Sequence, residues 1–273
     1  MALTVAIGGL GAIGSTVAKA LDPAGGHGGI DGLRLVAVSE RDADRRAAAL
    51  AGISAPPDVV ELEELGALAD VVVEALPAAA FERIALAALN AGRVLVPCSV
   101  GALLPRMHLV RLAQEKGGRI VVPTGSLLGL DAVRACAEGP VESVTIETRK
   151  SPRSLLGAPY LARNGIDVLA ISEPTCIFEG NALDAAAGFP ANVNVAAALA
   201  LAGIGAARTR VQIWADPAVE RNIHTIRVEA AAARLAMTVE AVPSELNPRT
   251  GKLAPLSVIA CLRGLVATLR VGS

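Results

Sequence analysis

"LTVAIGGLGAIGSTVAKAL", residues 3–21, decides the fold. Its first part is a short apolar run that ends in glycines. Its last part carries apolar residues at helical spacing. Between them Gly9, Gly11 and Gly14 stand in G-x-G-x-x-G order. A strand, a glycine turn and a helix in this sequence open a dinucleotide-binding βαβ unit. Gly9 permits the tight turn, Gly11 lets a pyrophosphate approach the backbone, and Gly14 lets the helix pack against the strand. The free N–H groups of the helix start, at Ala12 and Ile13, then face the phosphates. A glycine turn that holds no ligand is the bland alternative, and the strand–turn–helix context weighs against it.

Working outward, the second apolar run ends in "VAVSERD", residues 36–42. A carboxylate at this strand end would bind the adenosine ribose, and Glu40 supplies one. Arg41 beside it would favour the extra phosphate of NADP, so the pair leaves NAD or NADP as cofactor. Both side chains also read as solvated charges. The loop "DPAGGHGGIDG", residues 22–32, accounts for the long spacing between the glycines and Glu40, and its His27 reads as an exposed turn residue.

Apolar strands continue to alternate with helices as far as about residue 123, which indicates a parallel sheet covered on both faces. Near residue 140 the pattern changes. "VESVTIETRK", "TRVQIWAD", "NIHTIRVEA" and "RLAMTVEAV" show partial period-two alternation, the mark of half-buried antiparallel strands. The chain closes with the apolar helix "KLAPLSVIACLRGLVATL". The expectation is a Rossmann-type parallel sheet domain plus an α/β domain with a mainly antiparallel sheet. Residues 1–123 and 245–273 form the first, with a returning C-terminal helix, and 124–244 form the second, for catalysis and dimerisation.

Composition narrows the partners. The 273 residues carry a net charge of -1 and five aromatic side chains, which offers nothing to nucleic acid. The longest apolar stretch, 193–207, is alanine-rich and interrupted by Asn194 and glycines, so no membrane span is expected. Cys98, Cys136, Cys176 and Cys261 have no paired spacing. They read as buried free thiols in a reducing cytoplasm, with no zinc motif.

The glycine turn, "SVGAL", "PTGSLLGLDAV", "FPANVNVAAALALAG", "ADPAVERNIHTIRVE" and "NPRTGKLAPLSVIACL" follow one another in an order that resembles the L-aspartate dehydrogenase family over nearly the whole chain. The later blocks carry the specificity. The resemblance implies a dimeric NAD- or NADP-dependent enzyme that oxidises L-aspartate to iminoaspartate. The imine then hydrolyses to oxaloacetate and ammonia or, in some organisms, feeds NAD biosynthesis. It also implies that His224 of "RNIHTI" is the catalytic residue. Asn194 or its neighbour Asn192 helps to bind the nicotinamide end. Ser126 falls on a small residue of the cofactor site where alanine is usual. Ala191 and Gly251 depart from the family too, with a longer polar residue and a serine usual there.

From the residues themselves His224 has two readings. It shares a strand side with Ile226 and Val228, which suits a core histidine. Amine oxidation, however, needs a group that exchanges protons near neutrality, and apolar neighbours would keep an imidazole in its neutral, basic form. A dicarboxylate substrate calls for cations, for which Lys150, Arg153, Arg163 and Arg221 are the candidates. Asn192 and Asn194 also read as helix caps after "FP". Two other functions keep the fold: a dehydrogenase or reductase of another small amino or oxo acid, with Ser126 reshaping the pocket, and a dinucleotide-binding sensor without turnover.

Overall fold

A computed structural model describes residues 2–26, 28–245 and 250–272. His27 and residues 246–249 lie outside the described residues. The chain divides into two compact units. The first comprises Met1–Ser99, Arg106–Pro123 and Pro255–Val271, and the second Val100–Pro105, Thr124–Ala254 and Gly272–Ser273.

In the first unit the strands are β1 (Leu3–Gly8), β2 (Leu33–Ser39), β3 (Asp58–Val59), β4 (Val71–Glu74), β5 (Val94–Pro97) and β6 (Arg119–Ile120). They form one sheet in the order β3-β2-β1-β4-β5-β6, and every pairing is parallel. The order reverses between β1 and β4, which is the switch point where ligands of such sheets bind. Val5, Ile7, Val71 and Val73 are fully buried, because helices cover both faces of a parallel sheet. Helices α1 (Ala12–Leu21) and α2 (Ala43–Leu50) follow the first two strands, and Asp42 caps α2 by accepting from the Arg45 amide at 3.0 Å. Val258, Ile259 and Leu262 of the terminal helix Leu253–Val266 join the same apolar core as Val5, Ile7 and Val17. Pro255 sits in that helix's first turn, where an N–H would have no helical partner.

The second unit holds a five-stranded sheet in the order β11-β10-β7-β9-β8. Its strands are β7 (Val141–Lys150), β8 (Thr175–Asn181), β9 (Thr209–Ala215), β10 (Asn222–Ala230) and β11 (Arg234–Ala241). Only β7 and β9 pair in parallel. Alternation sets one side of β7, β9 and β10 inward: Val144, Ile146, Thr148 and Lys150, then Val211 and Ile213, then His224, Ile226 and Val228 are all buried. The apolar helix Asn194–Ala202 packs in the same unit, with Val195–Ala200 buried all round.

Two features depart from the sequence reading. Strand β8 escapes the period-two pattern because its register shifts between Cys176 and Phe178, which breaks the alternation. Cys176 is exposed on β8 rather than buried, whereas Cys136 is buried and Cys98 and Cys261 are partly so. Among the described residues no helix is long and apolar enough to cross a membrane.

Candidate active site

The three glycines of the first turn answer to three different constraints. Gly9 has φ +89°, and a Cβ there would lie 2.5 Å from the Ala75 carbonyl oxygen. A Cβ on Gly14 would lie 1.9 Å from the Gly9 carbonyl oxygen, so only glycine lets α1 pack this close to the turn. Gly11 is the exception, because a Cβ there meets nothing within 4 Å. The fold therefore requires Gly9 and Gly14, while Gly11 leaves open space over the helix start. That space is what a pyrophosphate needs, and the residues fit the dinucleotide. The first helical bond runs from the Ser15 amide to the Gly11 carbonyl at 3.0 Å, so the Ala12, Ile13 and Gly14 amides have no intrahelical partner. No acidic side chain in the first turn neutralises the positive helix end.

Glu40 closes the turn from the side of β2. Its Oε2 accepts from the Leu10 amide at 2.9 Å and its Oε1 from the Asp42 amide at 3.1 Å. Burial pushes its pKa up, but these two amides and the Arg45 charge outweigh that and hold it below the ordinary glutamate value. Arg41 is exposed. The cation against Glu40 is instead Arg45, 3.4 Å from Oε1, and Arg46 donates to the Glu40 carbonyl at 3.0 Å. Both arginines went unnoticed in the sequence. Their register on α2 relative to a strand end is not visible without the turn that joins them.

The second group lies on the inner side of the five-stranded sheet. Strands β10 and β7 pair so that His224 stands opposite Thr148. The Thr148 hydroxyl lies 3.0 Å from His224 Nδ1. Two residues along β7, Lys150 points to the same side and donates to Asn192 Oδ1 at 3.0 Å. His224 and Lys150 are each 3% exposed. Burial, with the Lys150 charge as a second cause, lowers the His224 pKa to about 3, so the imidazole is neutral across the working pH range. When Thr148 Oγ1 accepts from Nδ1–H, Nε2 is the nitrogen that exchanges a proton. Thr148 carried no signal in the sequence.

Neither asparagine caps the helix Asn194–Ala202 through its side chain. Asn192 holds Lys150, and Asn194 is the first residue of the helix, its Oδ1 accepting from the Gly101 amide at 3.0 Å. Asn194 thus ties "NVNVA" to "SVGAL". Ser126 is buried, and its Oγ stands 2.9 Å from where a Cβ on Gly251 would be. Of the cations, only Lys150 joins the buried group. The Arg221 side chain is 56% exposed and faces Glu240 at 4.0 Å. Arg153 and Arg163 are exposed as well.

A parallel sheet whose first turn leaves room for a pyrophosphate, and which ends its second strand in a carboxylate, defines a nicotinamide-nucleotide-dependent dehydrogenase. Residues 9–123 match the family model "Homoserine dehydrogenase, NAD binding domain", and residues 131–265 match "Aspartate dehydrogenase, C-terminal". An L-aspartate dehydrogenase of Bradyrhizobium diazoefficiens is 51% identical over 99% of this chain and 94% of its own. One from Methanocella arvoryzae is 42% identical over 98% of this chain and 99% of its own. The crystal structure of aspartate dehydrogenase from Thermotoga maritima superposes with a TM-score of 0.74 at 26% identity, covering 100% of both chains. The chain belongs to the L-aspartate dehydrogenase family, and it is an NAD(P)-dependent amino-acid dehydrogenase.

Proposed function

We propose that this chain oxidises L-aspartate to iminoaspartate, with His224 exchanging the protons. The observation that carries this reading is a neutral imidazole held by Thr148 beside a buried Lys150. NAD or NADP, when bound, accepts the hydride from the substrate α-carbon. The chain's own residues do the rest. The amides at the start of α1 bind the pyrophosphate, and Glu40 binds the adenosine ribose. Lys150 attracts a substrate carboxylate, and Asn192 fixes the ammonium that does so. Burial is the larger cause of the low His224 pKa, and a carboxylate against Lys150 offsets only the second, the ammonium charge, which moves the imidazole part of the way back toward its ordinary basicity. His224 then takes a proton from the substrate ammonium and later assists the water that hydrolyses the imine.

Trp214, the single tryptophan, lies on the other side of the same sheet with the Arg149 guanidinium 4.5 Å from its ring centre. Its Nε1 is buried and has no hydrogen-bond partner among the described residues. A homodimer belongs to the same reading and is supported by the family resemblance. Four free cysteines and a nicotinamide cofactor suit the reducing cytoplasm.

Incubation with NAD or NADP and a panel of small amino acids, followed by nicotinamide absorbance, tests the reading. Aspartate is expected to exceed every other amino acid by at least about tenfold in kcat/KM. A preference for another acid moves the assignment to that substrate. Cofactor binding without any turnover makes the chain a sensor.

A further inference from the structure

The glycine turn and Glu40 occupy the ends of β1 and β2. At the ends of β4 and β5 stands a group that the reading above does not use. Glu74, the last residue of β4, is 0% exposed. A carboxylate withdrawn from water is costly unless donors surround it. Here they do. Oε1 accepts from the Leu76 amide at 2.9 Å, and Oε2 from the Cys98 and Ser99 amides at 3.1 and 2.8 Å. The Ser99 hydroxyl, with one proton to give, lies 3.0 Å from Oε1 and 2.9 Å from the Leu76 carbonyl oxygen. The three amides face the carboxyl as donors in either state, whereas the hydroxyl donates to Oε1 of the ionised form or, with its proton on the Leu76 carbonyl, accepts from the protonated form. Burial nevertheless pushes the Glu74 pKa above the ordinary value, against the pull of these bonds.

The bonds join the loop after β4 to the loop after β5. The glycine turn is held to the loop after β4 separately, by backbone contacts in which Glu74's side chain takes no part: the Ala75 amide donates to the Gly8 carbonyl at 2.8 Å and Gly9 packs on the Ala75 oxygen. In a sheet of this order a dinucleotide lies across the switch point. Its adenosine half rests over β1 and β2, and its other half over β4 and β5. The two loops that Glu74 joins are therefore the floor of that other half.

We propose that Glu74, together with Ser99, is a positioning residue that fixes the backbone beneath the nicotinamide half of the cofactor; the inference rests on the cofactor reading above. A glutamine at this position keeps the shape but turns an NH2 toward N–H donors, and Ser99→Ala removes the hydroxyl that bridges the loops.

The test compares affinities for NADH and for ADP-ribose in wild type, Glu74→Gln and Ser99→Ala. ADP-ribose reaches the glycine turn and Glu40 but has no nicotinamide. NADH affinity is expected to fall about tenfold in Glu74→Gln and about threefold in Ser99→Ala, the range for lost hydrogen bonds. ADP-ribose affinity is expected to stay within about twofold. In turnover kcat falls while the KM for aspartate holds. Equal losses for both ligands, or none for either, overturn the proposal, because a purely structural brace changes no ligand ratio. If Glu74→Gln does not fold, the ratio in Ser99→Ala decides alone. A wild type that binds neither ligand defeats the cofactor reading, and this proposal with it.

Discussion

The glycine turn of the first unit and the inner side of the second sheet prepare for chemistry with opposite materials. At the turn the working groups are backbone amides, and side chains matter by their absence. On the sheet the backbone is spent on strand pairing, and the working groups are the side chains of Thr148, Lys150, Asn192 and His224. The turn is built within six consecutive residues, Gly9–Gly14. The sheet group joins residues 76 positions apart for Thr148 and His224, and 42 apart for Lys150 and Asn192. A backbone site thus tolerates substitutions that leave its glycines and their supports, such as Glu40, in place, whereas a side-chain site fails at single atoms.

The sharpest way to break that comparison is His224. Its replacement by Ala is expected to lower turnover by about two to four orders of magnitude, with affinity for NADH unchanged. His224→Asn keeps a polar side chain without a titratable nitrogen and separates catalysis from packing. It also tests the buried imidazole thermodynamically. In the unfolded chain a histidine takes up its proton near pH 6.5, but folded His224 resists until about pH 3. Between these values the unfolded state binds the extra proton. Native stability is therefore intact above pH 6.5 and falls by up to about 1.4 kcal/mol per pH unit as acid is added. Chemical denaturation from pH 7 to 5 should show a shallower decline in His224→Asn. Near-normal turnover in a destabilised variant would make His224 structural.

The difference between the two regions also explains what could be read in the chain. The turn was legible because its spacing is local: Gly9 is required by its own positive φ, Gly14 by the Gly9 oxygen and Gly11 by the ligand, although the Ala75 oxygen that also crowds Gly9 comes from a distant strand end. Strands β7, β9, β10 and β11 were legible because alternation records one buried side. Thr148 was not, because a threonine at an inward strand position looks like any other, and its tie to His224 depends on the register of β7 against β10. Lys150 appeared only as one cation among four. Its burial, which separates it from Arg153, Arg163 and Arg221, is set by strand parity and by Asn192 from a distant segment. Arg45 was hidden for the same reason. Arg41 looked closer to Glu40 in sequence, yet α2 turns Arg45 onto the carboxylate.

At the turn, Gly11→Val sharpens the comparison from the other side. Open space surrounds the missing Cβ, so the variant is expected to fold with an unchanged Tm. Its isopropyl group fills the pyrophosphate space and lowers NADH affinity about a hundredfold, or about 2.7 kcal/mol. Gly14→Ala is the contrasting variant, since its methyl meets the Gly9 oxygen and destabilises the fold itself. A Gly11→Val protein that binds NADH normally would remove the turn from the cofactor site.

Glu40 is expected to make NAD the better cofactor, by about tenfold over NADP, or about 1.4 kcal/mol. The carboxylate would repel a ribose phosphate, while Arg45 and Arg41 temper that repulsion. Glu40→Ser should reverse the preference, and it should also loosen the turn, because the Leu10 amide loses its acceptor. Kd values for NADH and NADPH on both proteins settle the sign. A wild type that strongly prefers NADPH would give the pocket to the arginines.

The smallest effect lies at Ser126 and Gly251, two positions where the chain departs from the family it resembles. A Cβ at 251 would lie 2.9 Å from Ser126 Oγ and 3.2 Å from Ala241 Cβ, so the two positions share one volume. Where the family usually has alanine and serine, this chain has serine and glycine, and the hydroxyl stands on the opposite side of the contact. Gly251→Ser alone is expected to cost about 1–2 kcal/mol by overpacking, and Ser126→Ala alone less than about 1 kcal/mol. Together they should recover at least about 0.5 kcal/mol of the sum, because Ser126→Ala removes the atom that the side chain introduced by Gly251→Ser would strike. Denaturation midpoints of the two single variants and the double variant form the cycle. Additive losses would mean that Ser126 turns aside unaided and that its hydroxyl is not held by the neighbouring glycine. The same four proteins, assayed for aspartate KM, then report whether the side on which the hydroxyl stands matters to the substrate or only to the packing.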